Sequence, residues 1–373
     1  MRPETLKRYA GSVPRYTSYP TAPHFSDKIG AAEYGLWLAA LPSAARLSLY
    51  LHIPYCDQLC WYCGCNTKAT QQYEPVSNYV EHLVKEIELI GDAIGGKRIA
   101  DHIHFGGGSP SILRPEHIRI LGEKLRGVAD FSEYAEFAVE VDPRTTAEDR
   151  IAAFAAAGVN RVSVGVQDFA PQVQMAINRM QSFEKTQSVI DGFRRHGVKS
   201  VNIDLVYGLP YQTRDSVEQT IEQVLKLEPD RVALFGYAHL PERLPHQRLI
   251  PEDHLPDAMD RFAQANRAAN TLANAGYVRV GLDHFARPGD RLAGGEVRRN
   301  FQGYTTDDAG ILIGFGASAI GRLPQGYVQN AVATGEYQRR IAAGELATQR
   351  GHAMSKDDDV RSLAIERLMC GLH

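Results

Sequence analysis

Six short apolar runs recur along the chain, most of them followed by a longer stretch with helical spacing. This alternation limits the possible folds more than any other feature. The runs are LSLYLHIP (47–54), HIHF (102–105), FAVEVDP (137–143), RVSVGVQ (161–167), VNIDLVYG (201–208) and RVALFGY (231–237). Helical patterns fall between them at 76–93, from near Pro115, at 146–157, at 183–196 and at 216–227. Strands that alternate with helices form parallel β/α units. Their apolar character predicts strands apolar on both faces, as in a parallel sheet covered by helices. The sequence therefore predicts an α/β fold, a complete or partial (β/α)6 TIM-like barrel over 47–240. A Pro- and Tyr-rich lead-in (1–46) precedes it, and a C-terminal extension (241–373) follows.

In that extension a helix is expected near 256–275, strand or loop segments in GYVRVGLDHFA and GILIGFGASAIG, and helices near 328–343 and 358–370. The core strands carry polar residues near their C-terminal ends: Glu140, Asp142, Gln167, Asp168, Asp204 and Tyr237. In a β/α barrel that end holds the chemistry. Any one of these residues is equally well a strand end giving way to a loop.

The formal net charge is −3 and no long basic run occurs, so nothing argues for a nucleic-acid partner. The N-terminus shows no apolar signal region, and no apolar run has the length of a bilayer span. The expected compartment is the cytoplasm. Four of the five cysteines lie between Cys56 and Cys65. In a reducing compartment so tight a group points to metal or redox chemistry rather than disulfides. Cys370 stands apart and reads as a small buried hydrophobe.

The motif is Cys56-Asp-Gln-Leu-Cys60-Trp-Tyr-Cys63-Gly-Cys65. Three thiolates can hold three corners of a 4Fe–4S cubane and leave the fourth iron open to a substrate. The competing reading is zinc, with Cys60 and Cys63 as one ligand pair and His52 and Cys65 as further candidate ligands. No second separated pair is present, and crowding four ligands into this loop suits zinc poorly. The glycine run Gly106-Gly107-Gly108 before Ser109 permits close backbone approach, with N–H groups able to bind a carboxylate or amine. A plain turn explains it equally well.

These segments together resemble the radical S-adenosylmethionine superfamily, and within it the oxygen-independent coproporphyrinogen III dehydrogenases of anaerobic haem biosynthesis. The matching stretches are PRYTSYPTA (14–22), YLHIPYCDQLCWYCGCN (50–66), HFGGGSP (104–110), VEVDPR (139–144), VSVGVQDF (162–169), NIDLVYGLP (202–210), YAHLP (237–241), DHFARP (283–288) and RNFQGYTT (299–306). The resemblance implies that Cys56, Cys60 and Cys63 ligate the cluster. It implies that Tyr50, Tyr62, Gly107, Gly108, Ser109, Glu140, Gln167, Arg179, Asp204, Ala238 and Ile320 bind two S-adenosylmethionine molecules. Ser109 replaces the usual threonine and keeps its hydroxyl. Glu140 would accept from the methionine amine and Asp204 from a ribose hydroxyl. Cys65 would sit beside the second S-adenosylmethionine. Arg15 and Arg299, with Tyr16, Gln302 and Tyr304, would meet the substrate carboxylates. Cys65, Gln302 and Tyr304 are thus the expected catalytic residues.

The implied chemistry begins with one-electron cleavage of S-adenosylmethionine. The 5′-deoxyadenosyl radical then abstracts hydrogen from a propionate β-carbon of coproporphyrinogen III. Loss of carbon dioxide and an electron leaves a vinyl group, and two such conversions give protoporphyrinogen IX. The expected partners are that substrate and an unidentified electron donor. No nucleic acid and no membrane span are expected, and the chain is expected to act as a monomer. Two alternatives remain at this point. One is the related haem-trafficking proteins, which resemble this family but carry an aromatic at the place of Cys65 and lack the PRYTSYP lead-in. The other is a zinc-stabilised interaction domain. The family pattern usually continues beyond the LMC of 368–370 into a small helical domain, so a shortened C-terminus is also expected.

Overall fold

The computed structural model describes residues 18–371 other than Gln302, together with Glu4, Thr5 and Arg8. Helix α1 (Ala31–Ala39) leads into the six expected strands. These are β1 (Arg46–Ile53), β2 (Arg98–Gly107), β3 (Ala129–Val141), β4 (Arg161–Gln167), β5 (Ser200–Tyr207) and β6 (Arg231–Gly236). The helices that follow them are α2 (Glu74–Ile94), α3 (Pro115–Val128), α4 (Glu148–Ala157), α5 (Phe183–Arg195), α6 (Arg214–Lys226) and α7 (Ala258–Asn274). Local chemistry sets several of their ends. The Thr213 hydroxyl accepts from the Ser216 N–H at 3.1 Å and caps α6. Gly95, at φ +69°, closes α2 in the left-handed conformation that glycine adopts without strain.

The later chain adds β7 (Val278–Val280), β8 (His284–Ala286), β9 (Leu312–Phe315), β10 (Ile320–Leu323), β11 (Gly326–Asn330) and β12 (Thr348–Ala353), with helices α8 (Thr334–Ala342) and α9 (Lys356–Gly371). All twelve strands form one sheet, in the order β12-β11-β10-β9-β1-β2-β3-β4-β5-β6-β8-β7. The strands from β9 through β6 run parallel. Antiparallel strands extend both sides.

Two sequence expectations need correction. The stretch 328–343 is not one helix: its start belongs to β11, whose residues are all buried between β10 and β12, and the helix begins only at Thr334. The core strands are also not apolar on both faces. In β1, Leu47, Leu49, Leu51 and Ile53 are nearly fully buried and belong to the main core with residues of α2, whereas Ser48 and Tyr50 face a cavity. The same period of two, which a pleated strand imposes, places His102 and His104, Glu136 and Glu140, Arg161 and Ser163, and Asn202 and Asp204 on that cavity. The apolar core thus lies between the sheet and its helices, and the inner face of the sheet is polar.

Candidate functional site

A cavity of about 400 Å³ runs along this inner face beneath the loop that follows β1. Two backbone features shape the loop. Tyr55–Cys56 pairs in parallel with Lys68–Ala69, which closes its neck. The glycine turn after β2 then docks against it: the Gly108 N–H donates to the Ile53 carbonyl at 2.8 Å and the Ser109 N–H to the Tyr55 carbonyl at 2.9 Å. The Gly107 N–H donates to Glu140 at 3.2 Å. The N–H groups expected to be available to a ligand are therefore engaged within the protein. The glycines themselves are required. A Cβ on Gly107, at φ +115°, would lie 2.8 Å from the His52 ring, and one on Gly108 would lie 2.7 Å from the Tyr55 carbonyl. The turn serves chiefly to seat the cysteine loop.

Polar groups surround the thiols. Cys56 Sγ lies 3.2 Å from the Thr67 hydroxyl. Cys60 Sγ accepts from Arg144 Nη2 at 3.3 Å and Arg179 Nη1 at 3.4 Å. Cys63 Sγ accepts from the Cys65 N–H at 3.4 Å. Burial pushes the Cys56 thiol up to about 12. The Cys63 thiol is lowered, chiefly by its hydrogen bond with Cys65, and that same contact raises Cys65. Among the described residues no three His, Cys, Asp or Glu side chains are gathered around one point as a single ion requires. Thiolates that each bind a different iron of a cubane need no common point. Soft sulfur donors with hydrogen-bond support suit an iron–sulfur cluster.

Carboxylates occupy the next level. Glu140 accepts from His104 Nε2 at 2.9 Å as well as from Gly107. Burial alone would raise its carboxyl, but the bond and charge of His104 with the Gly107 N–H outweigh it, so it sits below the usual range. Asp204 accepts from the Ser163 hydroxyl and the Asn202 amide, both at 2.8 Å. Those neutral donors do not offset burial, and its pKa is raised. Asp142 lies between Arg144 at 2.6 Å and Arg179 at 3.2 Å. The two guanidiniums overcome the effect of burial and hold it ionised. Above Glu140, His52 Nε2 must donate to the Asn66 carbonyl at 2.9 Å, so its Nδ1 accepts from the Tyr50 hydroxyl at 3.0 Å.

Of the residues named from the sequence, Cys56, Cys60, Cys63, Cys65, Tyr50, Tyr62, Gly107, Gly108, Ser109, Glu140, Gln167, Arg179, Asp204 and Tyr304 all line this cavity. Ala238 does not: it is exposed beyond β6, and its carbonyl accepts from Gln247 at 3.2 Å. Ile320 lines a second cavity of about 210 Å³, together with Arg298, Arg299 and Arg322. Arg299 lies 4.3 Å over the Tyr304 ring. Gln302, Arg15 and Tyr16 lie outside the described residues. Of the strand-end polar set, Asp168 is buried among Gln212, Thr220 and the Ala170 N–H, away from the cavity. Tyr237 also turns aside, onto His239. His104, His284 and Arg144 line the cavity and were missed as site residues, although His102 and His104 stand two apart on one strand and so share a face.

Residues 50–224 match the Radical SAM superfamily. The chain is 51% identical over 362 residues to the oxygen-independent coproporphyrinogen III oxidase of Bradyrhizobium diazoefficiens, covering 96% of this chain and 80% of that protein. The chain belongs to the oxygen-independent coproporphyrinogen III oxidase family. The Paracoccus denitrificans member is 46% identical over 371 residues, covering 98% of this chain and 82% of that one. The solved structure of the family's Escherichia coli member HemN, described as a radical SAM enzyme, aligns with a TM-score of 0.92. It is 39% identical and covers 98% of this chain and 84% of that one. Membership in this radical SAM family implies a 4Fe–4S cluster and S-adenosylmethionine as cofactors, which decides against the zinc reading. Among the described residues no helix is long and apolar enough to cross a membrane.

Proposed function

We propose that this chain is an anaerobic coproporphyrinogen III decarboxylase. It converts two propionate side chains to vinyl groups and yields protoporphyrinogen IX. The observation that carries the reading is the convergence on one cavity of the cysteine loop and polar residues from β1 to β5, most of them positions expected to hold the cofactors.

Cys56, Cys60 and Cys63 would hold the cluster. The cluster and S-adenosylmethionine supply, when bound, the one-electron cleavage that generates the hydrogen-abstracting radical. The protein's own part is electrostatic and positional. Glu140, kept anionic by His104, offers its carboxylate to the methionine ammonium. Asp204 accepts from a ribose hydroxyl. Arg179 lies beside the cluster loop, and Tyr50, Tyr62, Gly107, Gly108, Ser109 and Gln167 form the walls. Two S-adenosylmethionine molecules are used, one per propionate, with Cys65 beside the second and not a cluster ligand. Ala238 and Ile320 complete that set only where the ligand extends beyond the main cavity. Arg299 and Gln302 receive substrate carboxylates, while Tyr304, whose hydroxyl donates to the Met369 carbonyl at 2.8 Å, supports Arg299 through its ring. The chain acts as a monomer in the cytoplasm with a separate electron donor.

The test is anaerobic reconstitution followed by assay with coproporphyrinogen III, counting 5′-deoxyadenosine and protoporphyrinogen together. The reading expects two of the former for each of the latter. A reconstituted protein that binds haem tightly and never forms protoporphyrinogen would instead be a haem-trafficking relative.

A further inference from the structure

We propose that Arg144 sets the reduction potential of the iron–sulfur cluster by hydrogen bond and charge to the sulfur of Cys60. The proposal rests on the cluster assignment above.

Arg144 stands just beyond β3, and its side chain is only 11% exposed. Its Nη2 donates to Cys60 Sγ at 3.3 Å. The rest of the guanidinium is fixed: Nε donates to Asp142 at 3.0 Å, Nη2 reaches Asp142 at 2.6 Å, and Nη1 meets Gln58 and the Asn178 carbonyl at 3.4 Å. Asp142 is itself held, with its N–H donating to the Ser111 hydroxyl at 3.1 Å. The Arg144 donor therefore has one orientation.

Charge balance shows that Arg144 does more than neutralise a carboxylate. Asp142 is already paired with Arg179 at 3.2 Å. With Arg144 added, two guanidiniums face one carboxylate, and the surplus positive charge lies against a sulfur. Cys60 is the buried member of the three expected ligands; Cys56 and Cys63 are partly exposed. Water screens a charge least at a buried site. Reduction adds an electron to the cluster and its thiolates. A cation and an N–H donor on a ligating sulfur stabilise that added charge and raise the potential. Arg179 also donates to Cys60, at 3.4 Å, but it belongs to the expected S-adenosylmethionine set, so Arg144 is the cleaner probe.

The experiment reconstitutes the full chain anaerobically as the parent, Arg144→Gln, Arg144→Lys and the surface control Arg119→Gln. Iron is counted first. Reduction is then followed by electron paramagnetic resonance in a redox titration without S-adenosylmethionine. Arg144→Gln is expected to keep its iron and to reduce less readily, by on the order of tenfold in the equilibrium, which is about 59 mV for one electron. Arg144→Lys should fall between it and the parent, and Arg119→Gln should match the parent. A parent-like potential in Arg144→Gln overturns the proposal. Loss of iron in both Arg144 variants also overturns it, because the residue then merely staples the loop. If only the Gln variant loses iron, the Lys variant decides: a lowered potential supports the proposal and a parent-like one overturns it. A parent that takes up no cluster at all refutes the cluster assignment instead.

Discussion

The inner face of the sheet carries charge at two levels, and the two levels handle it differently. At the floor, near the first residues of β4 and β6, the charges close on one another. Arg161 pairs with Glu136 at 2.7 Å, and Arg231 with Asp290 at 2.8 Å and Glu136 at 3.5 Å. Two cations answer two anions. At the mouth the matching is incomplete. Glu140 has an imidazole and an N–H, Asp204 has only neutral donors, and Asp142 has two cations where one would do. The difference teaches that saturation by protein partners, rather than polarity, separates scaffold from site. An unmatched charge on a cavity wall is one that a ligand can complete.

This contrast breaks most visibly at the cysteine loop. Cys60→Ala should lose its cluster, against about four irons in the reconstituted parent, and form no 5′-deoxyadenosine. A full iron count in that variant sinks the ligand assignment. At the floor the expected damage is to stability. Arg231 is almost fully buried, and Arg231→Ala leaves Glu136 and Asp290 short of a partner. Removing one member of a buried pair costs roughly 3–5 kcal/mol. Denaturant midpoints should fall accordingly, while folded variant still binds S-adenosylmethionine; a loss of binding with stability intact would erase the distinction between floor and mouth.

Smaller effects test the mouth carboxylates. Glu140→Ala or Asp204→Ala should weaken S-adenosylmethionine binding by on the order of ten- to a hundredfold, the size of one charge-assisted hydrogen bond, about 1.5–3 kcal/mol. Titration calorimetry showing parent-like affinity in both would remove them from the site. The smallest effect on binding is expected at Asp168, which stands at the mouth end of β4 but is saturated. Asp168→Asn should leave the affinity unchanged. Burial raises this carboxyl from 3.8 to about 6, so the folded protein holds a proton that the unfolded chain releases between those values. Its contribution to stability is complete below pH 3.8 and is lost as pH rises through 6. Denaturant midpoints measured across that window should fall less steeply with rising pH in Asp168→Asn than in the parent.

Much of this was legible in the sequence. The six strands stood out because their helix-facing residues are large and aliphatic, and the cysteine spacing marked the loop. The start of β3 was not legible, because ADFSEYAE (129–136) is mostly polar and reads as loop. The inner-face histidines did not stand out, because His102 and His104 lie within β2 rather than at its end. Period-two spacing would have found them. Arg144 could not be found this way, since its role depends on Cys60, 84 residues earlier in the chain. Nor could the engagement of the glycine-turn N–H groups, which arises only when two segments meet.

The parallel pairing of β9 with β1 has a consequence for synthesis on the ribosome. The strand that leads into the cysteine loop lies between β2 and Leu312–Phe315, with Tyr50 opposite Gly314. A growing chain can thus lay down β1 through β6 and still leave β1 with one bare edge of unpaired amides until Leu312–Phe315 is made, more than two hundred residues after Ile53. Bare edges invite pairing with other nascent chains. Iron delivered during that interval would meet a loop whose supporting strand lacks one neighbour. The cysteine loop therefore gains its full support only once the late strand has closed the gap.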